Sequence, residues 1–212
     1  MRLLHIDASP RDTRSRSRAV ADHFLAALAA MRPALVVEPL KLFGHALPTL
    51  ADGMVEGRYA RIMGGTETPD IAEKWAEVQG HVDHFLSFDA YVISTPMWNF
   101  GVPYVLKHYV DVLTHPRITF VNDAQGNVTG LANGRKALVI AASAMDFGGA
   151  GDANDALAAL DFQLRYLETW LRFIGVDPVE TIRVAPTFGA PEAVEAAMAA
   201  GGASAERIAA RF

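Results

Sequence analysis

A chain of 212 residues with 51% hydrophobic and 20% charged residues has a globular composition and enough length for one sizeable core, so a single domain over 1–212 is expected. Its formal charge of -5 argues against work on nucleic acid or an anionic membrane surface, because both need clustered excess cation and the basic residues gather only from Arg11 to Arg18. The chain has no cysteine, which excludes disulfides, thiolate metal sites and cysteine nucleophiles, suits a reducing cytoplasm and leaves any redox chemistry to a cofactor.

In chain order, Leu3, Leu4 and Ile6 form a first strand, with His5 and Asp7 interrupting it before a signal-peptide core could form. No later run approaches a membrane span. After Ser9-Pro10, the residues Ala19, Val20, Phe24, Leu25 and Leu28 recur at helical spacing. Leu35 to Leu40 reads as a second strand, and Gly44 to Pro69 as a long irregular insertion. Ile71 to Phe88 is an amphipathic helix, followed by a buried strand at Ala90–Ser94. Pro103 suits the first turn of a helix that ends before His115-Pro116. Ile118–Val121 and Val128–Leu131 form a hairpin excursion, and Ala137–Ala142 is the fourth strand. A helix from Leu157 to Ile174 is closed by Gly175, and Val179–Val184 is the fifth strand. The tail from Glu192 to Arg211 is a last helix, with Gly201-Gly202 as a candidate break.

Apolar strands alternating with amphipathic helices imply a doubly wound, five-stranded parallel sheet with helices on both faces, a three-layer α/β/α fold. Ligands of such sheets bind outside the carboxyl ends of the strands where strand order reverses, which directs attention to three loops. The first contains Ser9, Ser15, Arg16 and Ser17 where a helix begins, so hydroxyls, backbone N–H groups and the helix dipole would meet an anion such as a phosphate monoester. Ser15 as a mere helix cap beside solvated arginines explains the same residues. Neither the P-loop nor the G-x-G-x-x-G pattern is present.

The second loop, Pro96-Met97-Trp98-Asn99-Phe100-Gly101-Val102-Pro103, offers aromatic faces and an amide edge to a flat heteroaromatic ring; a hydrophobic plug over the sheet is the plainer alternative. The third runs from Ser143 through Gly148 and Gly149 to Gly151, where backbone could approach a ligand edge or simply flex. His81 and His84 share a helix face, but nothing completes a metal site. Met54 and Met63 are expected to pack, and no Ser, His and acid grouping announces a hydrolase.

With these loops placed, the sequence resembles the FMN-dependent NAD(P)H azoreductases, which are similar to the quinone reductases of the flavodoxin-like superfamily. The likeness is carried by Ser9-Pro10-Arg11 with Ser15 and Ser17, by Pro96 to Pro103 with Leu106, Lys107 and Asp111, by Thr119-Phe120, and by Asp161-Phe162-Gln163 with Leu167 and Phe173-Ile174-Gly175. The resemblance implies that the serine loop holds the FMN phosphate, that Trp98 and Asn99 lie along the isoalloxazine, and that the third loop reaches its pyrimidine side. It further implies a homodimer in which each FMN site is closed by the partner subunit, NADH or NADPH as donor, quinones and azo compounds as acceptors, and Phe120 on the substrate side. The family's third loop runs Ser-Arg-Gly-Gly, whereas here Ala144-Met145-Asp146-Phe147 stands between Ser143 and Gly148. Reductases of nitroaromatics or of free flavin, and a one-electron carrier of the flavodoxin kind, are the alternatives; the insertion and the hairpin argue against the carrier.

Overall fold

The computed structural model describes residues 1–51, 53–148 and 155–212. Five strands, β1 (Arg2–Asp7), β2 (Val36–Lys41), β3 (Ala90–Pro96), β6 (Lys136–Ala142) and β7 (Val179–Val184), form one parallel sheet in the order β2-β1-β3-β6-β7. The hairpin is a separate antiparallel pair, β4 (Phe120–Asn122) and β5 (Val128–Gly130).

The central strands β3 and β6 read as nearly continuous apolar runs because both faces of the sheet are covered, whereas the edge strands β2 and β7 carry Glu38, Pro39, Glu180 and Arg183. Side-chain alternation sorts each strand between the two faces. Leu4, Ile6, Tyr91, Ile93, Ala137 and Val139 pack with Val82 and Phe85 of α3 (Pro69–Leu86), Leu106 and Tyr109 of α4 (Tyr104–Leu113), and Leu167 and Trp170 of α6 (Phe162–Phe173). The alternate set, Leu3, Val92, Leu138, Ile140 and Ile182, packs with Val20, Phe24 and Leu28 of α1 (Arg16–Met31) and with Ala205 and Ile208 of α7 (Pro191–Ala209). These are the expected three layers.

Five expectations need correction. The segment from Gly44 to Pro69 is not irregular throughout: α2 (Met54–Met63) forms within it and buries Met54 and Gly57 against Ile71, Trp75 and Val78 of α3. Met63, expected to pack, is exposed at the end of that helix. The helix expected over 157–174 is divided into a short α5 (Asp155–Ala158) and α6, because the Asp161 side chain caps a new helix by accepting from the amides of Gln163 and Leu164 at 2.9 and 3.1 Å. Pro103 stands one residue earlier than expected, as the N-cap of α4 with extended backbone. The tail helix is unbroken, since Gly201 lies against Val20 and Val184, where the layer needs a small residue.

Candidate functional site

The strand ends are stitched together just beyond the sheet: the Ala8 amide donates to the Ser94 carbonyl at 2.9 Å, Met97 to Ala142 at 2.7 Å, and Ser143 to Val184 at 3.2 Å. The three loops singled out in the sequence therefore leave one edge side by side. Between β1 and β3 the winding of the chain reverses, since β2 flanks β1 on one side while β3, β6 and β7 follow on the other.

After β1 the chain makes a 3-10 turn at Asp12–Arg14 and enters α1 with Ser15 as N-cap, its Oγ accepting from the Arg18 amide at 3.3 Å. Ser15 and Ser17 are buried with their hydroxyls 3.3 Å apart, and Ser9 is buried as well. Arg16 and Ser17 occupy the first two helical positions, whose amides an α-helix leaves without internal partners. Arg11, Arg14 and Arg16 line a cavity of about 430 Å³ with Thr13, Ser15 and Phe188. Hydroxyls, free amides and guanidinium groups thus converge, which is the chemistry that holds a phosphate. Arg16 itself is exposed at the rim rather than beside the buried hydroxyls.

A buried polar chain braces this loop from below. Asp7 accepts from the Ser9 amide at 3.0 Å and from the Ser94 hydroxyl at 3.4 Å, with the Arg18 guanidinium 3.5 Å away, and His5 Nε2 lies 3.0 Å from Ser94 Oγ. Burial raises the Asp7 carboxyl above its ordinary range, against the Ser9 amide and Arg18. Burial also pushes the His5 imidazole down to about 4, and does the same to His115 beyond α4. Unfolding returns both rings to their ordinary value of 6.5, so between pH 6.5 and about 4 each ring holds more proton in the unfolded chain than in the folded one, while the raised Asp7 carboxyl works in the opposite sense. The rings' contribution to stability should be complete above that window and lost as pH falls through it, by up to about 3 kcal/mol per ring. The pH dependence of the two ring protons by NMR checks this, and rings that titrate near 6.5 in the folded protein would contradict it.

In the second loop, Trp98 and Gly101 exchange backbone hydrogen bonds of 2.9 and 3.0 Å across Asn99 and Phe100. Both central residues have positive φ, 47° and 70°. Asn tolerates this conformation, but a bulky Phe does so at a cost of about 1–3 kcal/mol, and strain of this kind collects at functional sites. The turn presents Trp98 and Phe100 partly to solvent, and the Phe100 carbonyl accepts from the Phe162 amide at the start of α6 at 3.0 Å. Pro96 ends β3, and Met97 is held to β6 through its amide.

In the third loop the Ser143 hydroxyl donates to the Met145 carbonyl at 2.7 Å, and the Ser143 carbonyl accepts from the amide and hydroxyl of Thr187 at 2.9 Å each. The Gly148 amide donates to Asp146 Oδ1 at 2.9 Å, so that donor is already engaged. A Cβ on Gly148 would stand 2.4 Å from Arg183 Nε, and Arg183 in turn pairs with Asp161. Gly149, also expected at the site, lies outside the described residues.

Phe120 is not brought to these loops within one chain. Its ring lies 4.8 Å from Phe173 at the far end of α6, about 16 Å along the helix from Phe162. The sequence reading missed four contributors. Phe43 and Tyr104 surround Trp98 with centroids at 5.7 and 6.2 Å, and the connection after β7 brings Thr187 and the exposed Phe188 to the serine loop. An exposed Phe between Pro186 and Gly189 at a strand end carries the same signal as the second loop. His84 Nε2 lies 2.6 Å from Glu38, which accounts for it without a ligand.

Residues 1–208 match a family model described as flavodoxin-like fold. The chain is 39% identical over 211 residues to the FMN-dependent NADH:quinone oxidoreductase of Nitratidesulfovibrio vulgaris strain Hildenborough, with 99% of each chain covered. It is 33% identical over 208 residues to the FMN-dependent NADH:quinone oxidoreductase 3 of Pseudomonas fluorescens, covering 98% of this chain and 95% of that one. Among solved structures, the azoreductase of Bacillus anthracis strain Sterne superposes with a TM-score of 0.88 at 25% identity over 100% of both chains. An FMN-dependent NADH-azoreductase of Bacillus anthracis strain Ames Ancestor, solved in complex with FMN, superposes with a TM-score of 0.80 at 26% identity, covering 98% of this chain and 99% of that one.

Proposed function

The chain belongs to the flavodoxin-like fold family that includes the FMN-dependent NADH:quinone oxidoreductases, and from that premise we propose that it binds FMN at the carboxyl edge of its sheet and reduces quinones and aromatic azo compounds with electrons from NADH. The observation that carries this reading is the meeting of two chemistries at one strand reversal. A buried hydroxyl pair at the start of α1 fits a phosphate monoester, and a strained aromatic turn on the adjoining strand fits a flat ring.

When bound, FMN would supply the two-electron redox chemistry between NADH and the acceptor, which no side chain of the protein can perform. The protein binds, orients and excludes water. Ser15, Ser17 and the free amides of α1 hold the phosphate, with Arg16 and its neighbours neutralising its charge at the rim. Ser9, Pro96 and Met97 would close around the ring, Trp98 and Phe100 would cover it, and Asn99 would donate to its edge, with its amide positioned to favour the reduced form. Ser143 and Gly148 shape the third loop through their internal hydrogen bonds rather than by offering free donors.

The working form is a homodimer in the cytoplasm, where NADH is available. Phe162 is 53% exposed and Phe100 43%, and beside them a cavity of about 490 Å³ is lined by Val102, Tyr166 and Thr169 with Lys107 and Arg165. An apolar patch with a basic rim suits burial against a second copy. Within one chain Phe120 is too distant from the ring to line it, so it closes the substrate side of the partner's site.

With one open face, donor and acceptor must alternate, which makes the mechanism ping-pong. Initial rates with NADH and quinone both varied should give parallel double-reciprocal lines, and the holoprotein should sediment as a dimer. An azo bond takes four electrons and needs two cycles, so its cleavage should be slower than quinone reduction. Intersecting lines would refute the shared face, and an active monomer would refute closure by the partner.

A further inference from the structure

Away from the strand ends, beyond the far end of α4, Trp75 and His115 are each only 2% exposed. The Trp75 indole N–H has no hydrogen-bond partner among the described residues, and neither His115 nitrogen has one of good geometry, although the Val112 carbonyl stands close enough to act on the ring. Their rings meet edge to face at 4.8 Å, and both line a cavity of about 180 Å³ between α2, α3 and the turn after α4. Buried donors are rarely left unmade, so this pair calls for an occupant.

The rest of the lining says what kind. Arg58, Arg61 and Arg117 face the same cavity, and no carboxylate is among its lining residues. Arg61 is neutralised by Glu67, 2.5 Å away, whereas Arg58 and Arg117 make no ion pair among the described residues. Burial first and the Arg58 charge second keep His115 neutral at pH 7, with one N–H to give. A neighbouring space of about 30 Å³ shares Arg58, Trp75 and His115 and has room for one water; the larger space exceeds that several-fold.

We infer that this cavity is a second ligand site, apart from the serine and aromatic loops of its own chain, that takes a small oxyanion through the N–H groups of Trp75 and His115 and the guanidinium groups of Arg58 and Arg117. The recognised chemistry is a phosphoryl or carboxylate group, matched by fixed donors and two uncompensated cations.

The experiment uses the full chain saturated with FMN, so that the serine loop is filled. The Trp75 indole N–H resonance, assigned by its loss in Trp75→Phe, is followed while inorganic phosphate or acetate is added, with potassium chloride as the ionic-strength control. A saturable shift with phosphate, with acetate or with both is expected, and the stronger of the two identifies the group. Binding should weaken about tenfold or more in Arg58→Gln/Arg117→Gln, as expected for lost charge-assisted hydrogen bonds. Arg117→Gln alone, on an exposed turn, serves if the double variant fails to fold. A resonance that neither anion moves would leave the cavity to water. An equal shift with chloride, or one undiminished in the arginine variants, would overturn the site as well.

Discussion

Replacing both Ser15 and Ser17 by alanine should weaken FMN binding about a hundredfold, and Ser17→Ala alone about tenfold or more, because a hydrogen bond to a charged group contributes roughly 1.5–3 kcal/mol. The two side chains differ in a useful way. Ser15 also caps α1 through the Arg18 amide, so its removal costs about 1 kcal/mol of stability besides the phosphate contact. Ser17 makes only its contact with Ser15 among the described residues, so its effect should fall on binding alone. Ser15→Asp separates the two roles, keeping the cap while setting a negative charge against the phosphate; it should fold normally and bind FMN least of all. Riboflavin lacks the phosphate, so its affinity should hardly change across the series. Fluorescence titration with both flavins is the check, and equal losses for the two would remove the phosphate from the serine loop.

Gly130→Ala should be the most damaging added methyl group among the described glycines. An added Cβ would stand 2.1 Å from the Ile174 carbonyl carbon and 2.2 Å from the Gly175 nitrogen, and neither backbone atom can turn aside as a side-chain end could. That close approach docks the hairpin on the end of α6. The Ala132 amide donates to the Ile174 carbonyl at 2.8 Å, and Asn133 Nδ2 to the Gly130 carbonyl at 2.9 Å. A loss of about 3 kcal/mol or more is expected, at the upper end of overpacking costs. Phe120 pairs with Gly130 across the hairpin, so quinone turnover should fall further than FMN affinity. Gly126→Ala is the control at the other end of the hairpin: its φ of 86° is strained for alanine, but nothing lies within 4 Å, so about 1 kcal/mol is expected. Equal urea midpoints for the two variants would show that the hairpin is not anchored at Gly130.

The centre of the sheet was legible in the sequence because β3 and β6 are buried on both faces and read as unbroken apolar runs, as in Tyr91-Val92-Ile93 and Leu138-Val139-Ile140. Helix α2 was not, because Glu56, Gly57 and Arg58 interrupt its apolar positions and it buries little besides Met54 and Gly57. The division before α6 was carried by one residue, Asp161, whose capping role shows only once its side chain is seen turned onto the Gln163 and Leu164 amides. At the site, the serine and aromatic loops declared themselves by residue type. The bracing of Asp7 by Ser94 and Arg18, and the approach of Thr187 to Ser143, join residues that no local pattern connects. Phe120 was named by resemblance alone, and its distance from the loops follows from the length of α6.

Flavin binding by the purified chain is the most direct measurement of all. Titration of FMN fluorescence with the protein should saturate at one FMN per chain, with FMN held more tightly than riboflavin through its phosphate. A fluorescence signal that never saturates would contradict an FMN site at this sheet edge, and with it the assignment of Ser15, Ser17, Trp98 and Asn99.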